Sequence, residues 1–157
     1  MPLQYKDNIA AFAVGRRTNM EEWNTITRVA EAAIGFGIPV QPGTAEGTCK
    51  TLTATTGQNV LGITEASQVL PHTGDNYAQY DNVAICEVGV IGVLLGADVT
   101  AGAVARFNTA NNTWTGAAQS ATVVTIPGAQ FEYAGKSGTV GAVRYRRPVP
   151  SLSVSGA

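Results

Sequence analysis

The run Val83–Leu95 reads VAICEVGVIGVLL, with Glu87 as its one charged residue and Gly89 and Gly92 as its breaks. No other stretch constrains the fold as strongly. Valine and isoleucine enrichment, single glycines and flanking turn signals favour strands over a buried helix. Each glycine would cost a helix interior about 1 kcal/mol against alanine; in a strand it marks a bulge or a close backbone approach. Alternation places Val83, Ile85 and Glu87 on one face and Ala84, Cys86 and Val88 on the other. Tyr80-Asp81-Asn82 turns the chain into this run. Gly96–Gly102 turns it out again, into a further strand at Ala103–Phe107.

A chain of 157 residues is long enough for one domain with its own core. Its net charge of −1 gives no global attraction to nucleic acid or to an anionic membrane. Only 13% of residues are charged, against about a quarter in ordinary globular chains. Much of the surface must therefore be Thr, Asn, Gln and Ser, which suits an all-β protein partly covered by partners. Met1–Arg17 has no sustained apolar core and does not read as a signal peptide. No apolar run approaches the roughly 18–20 residues of a membrane span. Cys49 and Cys86 fit buried reduced thiols better than a disulfide framework.

In chain order, Met1–Arg17 reads as an N-terminal arm, with Tyr5, Ile9, Phe12 and Val14 apolar but without a period. Thr18–Ile34 carries two conflicting signals. Met20, Trp23, Ile26, Ala30 and Ala33 recur at helical spacing behind a Thr18/Glu21 capping box. Thr25–Val29 is rich in β-branched residues, which favour a strand. An extended segment is expected, with a short helix as the alternative. Gly35–Val40 predicts an edge strand, because proline cannot donate to a central ladder. Short strands follow at Cys49–Thr55, Val60–Thr64, Ala121–Ile126, Phe131–Tyr133 and Val140–Tyr145, with a hairpin around Asn111-Asn112. Many short strands at close spacing mean a small barrel or sandwich over residues 18–147. Residues 148–157 form a short C-terminal tail.

The search for chemistry is negative. His72 is the one histidine, so no multi-histidine metal site can form, and two cysteines permit no thiolate cluster. Asp75 and Asp81 would suit a carboxylate pair, but turn formation explains both. No nucleophile elbow, phosphate loop or dinucleotide fingerprint is present. The expectation is no enzyme, no cofactor and no metal. Two basic clusters remain, Arg16-Arg17 with Arg28, and Arg144-Arg146-Arg147; they are too narrow for a nucleic-acid surface and read equally as solvated charge or as ion-pairing groups for a protein partner. As a rival reading, Tyr77, Tyr80, Trp114 and Tyr133 would serve a carbohydrate-binding or adhesin module if they shared one exposed face.

The order of Gly35–Val40, Val60-Leu61-Gly62-Ile63, Tyr80–Val83, Val99–Gly102, Pro127–Phe131 and Gly141–Val143 resembles the structural cement (decoration) proteins of tailed bacteriophages, over about residues 10–147. The resemblance implies a small β domain, often of β-tulip type, on the outer face of an expanded capsid. It implies a virion protein made in the bacterial host cytoplasm, with the major capsid protein as partner. It also implies a homo-oligomer, a trimer in preference to a dimer, whose terminal arm reaches across subunits to stabilise the shell. No catalytic residue carries over. On that footing Tyr5, Phe12 and Val14 are candidate apolar anchors, and Arg16, Arg17, Arg146 and Arg147 are candidate partners for acidic capsid groups. An arm of this length can reach about 50 Å when extended.

Overall fold

The computed structural model describes residues 13–19, 21–53, 59–67 and 76–149. The described residues form strands and no helix: β1 (Asn24–Ala30), β2 (Ile34–Gly35), β3 (Pro39–Pro42), β4 (Thr48–Thr51), β5 (Gly62–Thr64), β6 (Asn76–Tyr77), β7 (Asn82–Leu94), β8 (Val104–Asn108), β9 (Thr113–Thr115), β10 (Val123–Phe131) and β11 (Val140–Arg146). Nine of them make one sheet in the order β1-β4-β3-β5-β7-β11-β10-β8-β9, and β1 pairs a second time, with β7. That second pairing closes β1, β4, β3, β5 and β7 into a small barrel. The remaining strands extend the sheet from the second half of β7, where β11 pairs with it. Their far end returns to it, because Leu95 bridges Trp114 in parallel and the Gly96 N–H donates to the Trp114 carbonyl at 2.8 Å.

β7 serves both halves because it changes face midway. Against β1, Thr25 pairs with Cys86 but Asn24 pairs with Val88, so Glu87 is an extra residue, a bulge. β11 follows the second half of β7 without a break, from Arg146 opposite Val88 to Val140 opposite Leu94. Before the bulge, Val83 and Ile85 join Ala30, Ile34, Val40, Cys49, Leu61 and Tyr77 in the core of the barrel half. Beyond it, Ile91, Val93 and Leu95 join Phe107, Trp114, Phe131 and Tyr145 in a larger core. Cys86 and Ile63, opposite each other on β7 and β5, also belong to the larger core. Both sides of the barrel wall are therefore covered, as the unbroken apolar run demands.

Within residues 19–34 the described part forms a strand and no helix: β1 covers Asn24–Ala30, and β-branched Thr25, Ile26, Thr27 and Val29 all lie in it. Two expectations are overturned. The segment Gly35–Val40 is not an edge strand. It divides between β2 and β3, and β3 lies inside the sheet between β4 and β5. Pro39 is tolerated because it is the first residue of β3, and the ladder there uses its carbonyl, which accepts from the Leu52 N–H at 3.1 Å. Nor does Pro127-Gly128 end a strand. β10 runs through it to Phe131, and a register shift against β8 between Thr125 and Gln130 absorbs the missing donor. The hairpin at Asn111-Asn112 is present as β8–β9, with Asn112 in the left-handed region.

Candidate functional site

Of the expected arm, Met1–Phe12, including Tyr5 and Phe12, lies outside the described residues, as do His72 and Asp75. Ala13–Thr18 is fastened to β7. The Gly15 N–H donates to the Gly92 carbonyl (2.8 Å), the Gly92 N–H to the Arg16 carbonyl (2.8 Å), and the Thr18 N–H to the Val90 carbonyl (3.1 Å). The Ala66 N–H donates to the Gly15 carbonyl from the opposite side at 2.8 Å. Three glycines make this slot. A side chain on Gly92 would press on the Ala13 carbonyl oxygen at 2.5 Å, and one on Gly37 would meet Val14 Cγ1 at 2.7 Å. Gly15 itself has φ 77°, which glycine adopts without steric cost. Val14 is half-buried in the root of the arm, against Gly37.

The residues just before β1 lie beside β7 and β11. There Glu21 meets Arg144 at 2.5 Å and Glu22 meets Arg146 at 2.5 Å. Trp23 lies against Gly89, where a Cβ would overlap its ring, and the Arg17 guanidinium stacks over that ring at 4.4 Å. The Trp23 indole N–H donates to Thr25 Oγ1 (2.8 Å), and the Thr25 hydroxyl donates to Glu65 Oε1 (2.6 Å). Burial pushes the Glu65 carboxyl up, against those hydrogen bonds and the Arg17 charge.

The arginines expected to face a partner are mostly engaged within the chain. Arg144 also pairs with Glu132 at 2.8 Å, and that hydrogen bond holds the Glu132 carboxyl below its usual range. Arg147 meets Glu87, the bulge residue, at 2.8 Å, and Asn24 donates to the other Glu87 oxygen at 2.6 Å. Arg146 and Glu22 are largely exposed, so their pairing contributes no more than about 1 kcal/mol. Arg16 is exposed, and its side chain makes no ion pair among the described residues. Glu22 and Glu132 were not singled out from the sequence, and Glu21 and Trp23 were marked there only as helix signals. Gly92 was marked there only as a bulge or close-approach position.

Beside the exit of the chain, an open groove of about 880 Å³ runs between Val60, Val88, Pro127, Pro148 and Val149, with Arg146 and Arg147 on its rim. The aromatic platform expected of a carbohydrate binder does not assemble. Tyr77 and Trp114 are both fully buried, leaving Tyr80 and Tyr133 exposed. Their burial has a physical cause: the Tyr77 hydroxyl donates to the Glu65 carbonyl (2.6 Å) and the Trp114 indole N–H to the Gly37 carbonyl (2.8 Å), so each ring has an internal partner. Among the described residues no cluster of His, Cys, Asp and Glu is arranged to hold a metal, and no helix is long and apolar enough to cross a membrane. Both cysteines are free and buried, one in each core. Burial pushes the Cys49 thiol up to about 11 and the Cys86 thiol up to about 12.

Comparison with known proteins points one way. A family model described as structural cement protein (E217 gp24/Pam3 gp6) matches residues 1–146. A chain from the capsid of Myoviridae phage XM1 shares the fold with a TM-score of 0.72 at 14% identity, covering 95% of this chain and 99% of the other. The N base of head fiber gp8.5 from bacteriophage phi29 is similar with a TM-score of 0.50 at 10% identity, covering 83% of this chain and 99% of the other. No curated protein matches in sequence.

Proposed function

Since the chain belongs to the structural cement protein family of bacteriophages, we propose that it binds the outer surface of an expanded capsid and bridges neighbouring subunits. The family is a structural one, so its role is to stabilise the shell, not to catalyse. The observation that carries the bridging role is the root of the arm. Ala13–Thr18 is held on both sides by backbone hydrogen bonds to β7 and to Ala66, so whatever Met1–Phe12 grips is joined to the domain by fixed structure. Tyr5 and Phe12 act as apolar anchors on the neighbouring subunit. Arg16 meets its carboxylates. Residues 1–12 reach at most about 40 Å when extended, and linkage of this kind raises the effective concentration of every other contact. The protein acts as a homo-oligomer, a trimer in preference to a dimer, placed about a local symmetry axis.

Removal of residues 2–12 tests this. The cut must stop there, because Ala13–Gly15 belongs to the slot, and a deletion through Gly15 would remove pairing from the domain as well. The shortened protein is expected to unfold at the temperature of the full chain. Its binding to expanded capsids lacking their own cement protein should be at least tenfold weaker, about 1.4 kcal/mol. Full affinity without residues 2–12 would show that the β domain alone carries attachment. Light scattering on the purified protein tests the oligomer, and a strict monomer both in solution and on the capsid would overturn the trimer.

A further inference from the structure

Tyr80 stands in the left-handed region, at φ 71°, and is 76% exposed. A bulky aromatic residue is rare there because Cβ crowds the following carbonyl; glycine and asparagine carry no comparable strain. The turn around it is fixed. The Tyr80 N–H donates to the Ala30 carbonyl (2.8 Å), the Ala30 N–H to the Asp81 carbonyl (3.0 Å), and the Asp81 N–H to the Ala78 carbonyl (3.2 Å). Asp81 Oδ2 accepts from the Ala78 N–H (2.8 Å), and Gln79 Nε2 donates to the Glu31 carbonyl (3.0 Å). All these bonds are made by backbone or by neighbouring side chains; the phenol ring contributes none of them. Tyr77, three positions earlier, shows the contrast. Its ring is fully buried, edge-on to Phe36 at 5.2 Å, and its hydroxyl is satisfied.

None of the turn's hydrogen bonds uses this strained, exposed ring, and such strain clusters at functional sites. We propose that Tyr80 is an attachment anchor, inserting into an apolar pocket of the capsid protein that offers a carbonyl or carboxylate to its hydroxyl. Tyrosine suits the role: it delivers a large contact area while immobilising few rotamers. The site lies just before β7, whereas the arm leaves near Gly92, at most about 40 Å further along the chain. The protein thus grips from both ends of one strand. This inference rests on the capsid-binding function proposed above and adds a second, rigid contact to it.

The test uses full-length Tyr80→Asn and Tyr80→Phe proteins with expanded capsids lacking cement protein. Tyr80→Asn is expected to unfold at the wild-type temperature or up to about 3 °C above it, because the strain is relieved, while binding at least tenfold more weakly. Tyr80→Phe should keep the wild-type unfolding temperature and lose less affinity than Tyr80→Asn. Unchanged binding of Tyr80→Asn beside tight wild-type binding would overturn the anchor and leave the capsid function standing. A clear fall in unfolding temperature would overturn it too, by making Tyr80 a structural residue. Self-association of the wild type that Tyr80→Asn abolishes would assign the ring to a second copy and overturn the capsid pocket. Failure of the wild type itself to bind would take both readings down.

Discussion

The two halves joined by β7 are closed by different means. The barrel half is closed by backbone: β1 pairs with β4 on one side and β7 on the other, around a core of small aliphatic groups and one tyrosine. The other half closes through a single parallel bridge at Leu95–Trp114 and fills its core with Phe107, Trp114, Phe131 and Tyr145. Hydrogen-bonded closure spreads over many residues and depends little on any one side chain. Closure by aromatic packing concentrates in a few. Trp114 is the extreme case: it packs edge-on to Phe107 at 5.6 Å, donates to Gly37 in the connection between β2 and β3, and sits at the bridge itself.

Trp114→Ala should therefore have the largest effect, a loss of about 3–5 kcal/mol from cavity formation alone, with the Gly37 carbonyl left unsatisfied besides. Chemical denaturation measures it, and a loss under 2 kcal/mol would mean that the second half closes through its backbone after all. Gly92→Val ranks next. It forces Ala13 off β7 and should cost about 1–3 kcal/mol, with amides at Gly15 and Thr18 losing protection in hydrogen exchange while β8–β10 keep theirs. The two thiols sharpen the comparison, since each core holds one. Cys49→Ala and Cys86→Ala should each cost about 1 kcal/mol, and a thiol reagent should modify neither in the native protein, because both are buried and their thiolates disfavoured. A much larger loss at Cys86 would show that the wall between the cores tolerates less than either interior.

The smallest effect is one of pH, confined to the barrel half. Glu31 accepts from the Thr48 hydroxyl (2.6 Å), the Thr44 hydroxyl (2.8 Å) and N–H (2.5 Å), and the Ala45 N–H (3.1 Å). These bonds, with Thr48 foremost, lower its carboxyl from 4.5 to about 2. A carboxyl lowered by folding contributes stability that is complete above its unfolded value and disappears as pH falls through the folded one. The difference in unfolding temperature between wild type and Glu31→Gln should thus be constant above about pH 5 and shrink toward pH 2. A constant difference across that range would mean that the carboxylate charge is irrelevant to the turn.

Much of this architecture was legible because it is local. Val83–Leu95 announced a strand buried on both faces, and Thr25–Val29 outweighed the helical spacing of Met20, Trp23 and Ile26 because β-branched groups fit a pleated wall. What was not legible depends on partners far along the chain. Nothing in Cys86-Glu87-Val88 marks Glu87 as the bulge; that follows from β1 pairing with one half of β7 and β11 with the other. Pro39 suggested an edge because sequence shows a missing donor but not where the strand begins. The pairing of Arg146 with Glu22 within the chain was not legible because Glu22 lies 124 positions away. The left-handed backbone at Tyr80 was hidden behind a turn signal that glycine or asparagine would have met equally well.

The fastening of Ala13–Thr18 also determines how force enters the molecule. The segment runs antiparallel to β7, and its bonds to Gly92 and Val90 lie across the strand direction. A tug on the arm along β7 loads those bonds side by side, in shear, instead of peeling them apart one at a time. The tension then passes into β11, paired with β7 from Val88 to Leu94, and is shared along that antiparallel ladder. Under the bridging role proposed above, an attachment of this kind would hold until several bonds fail at once.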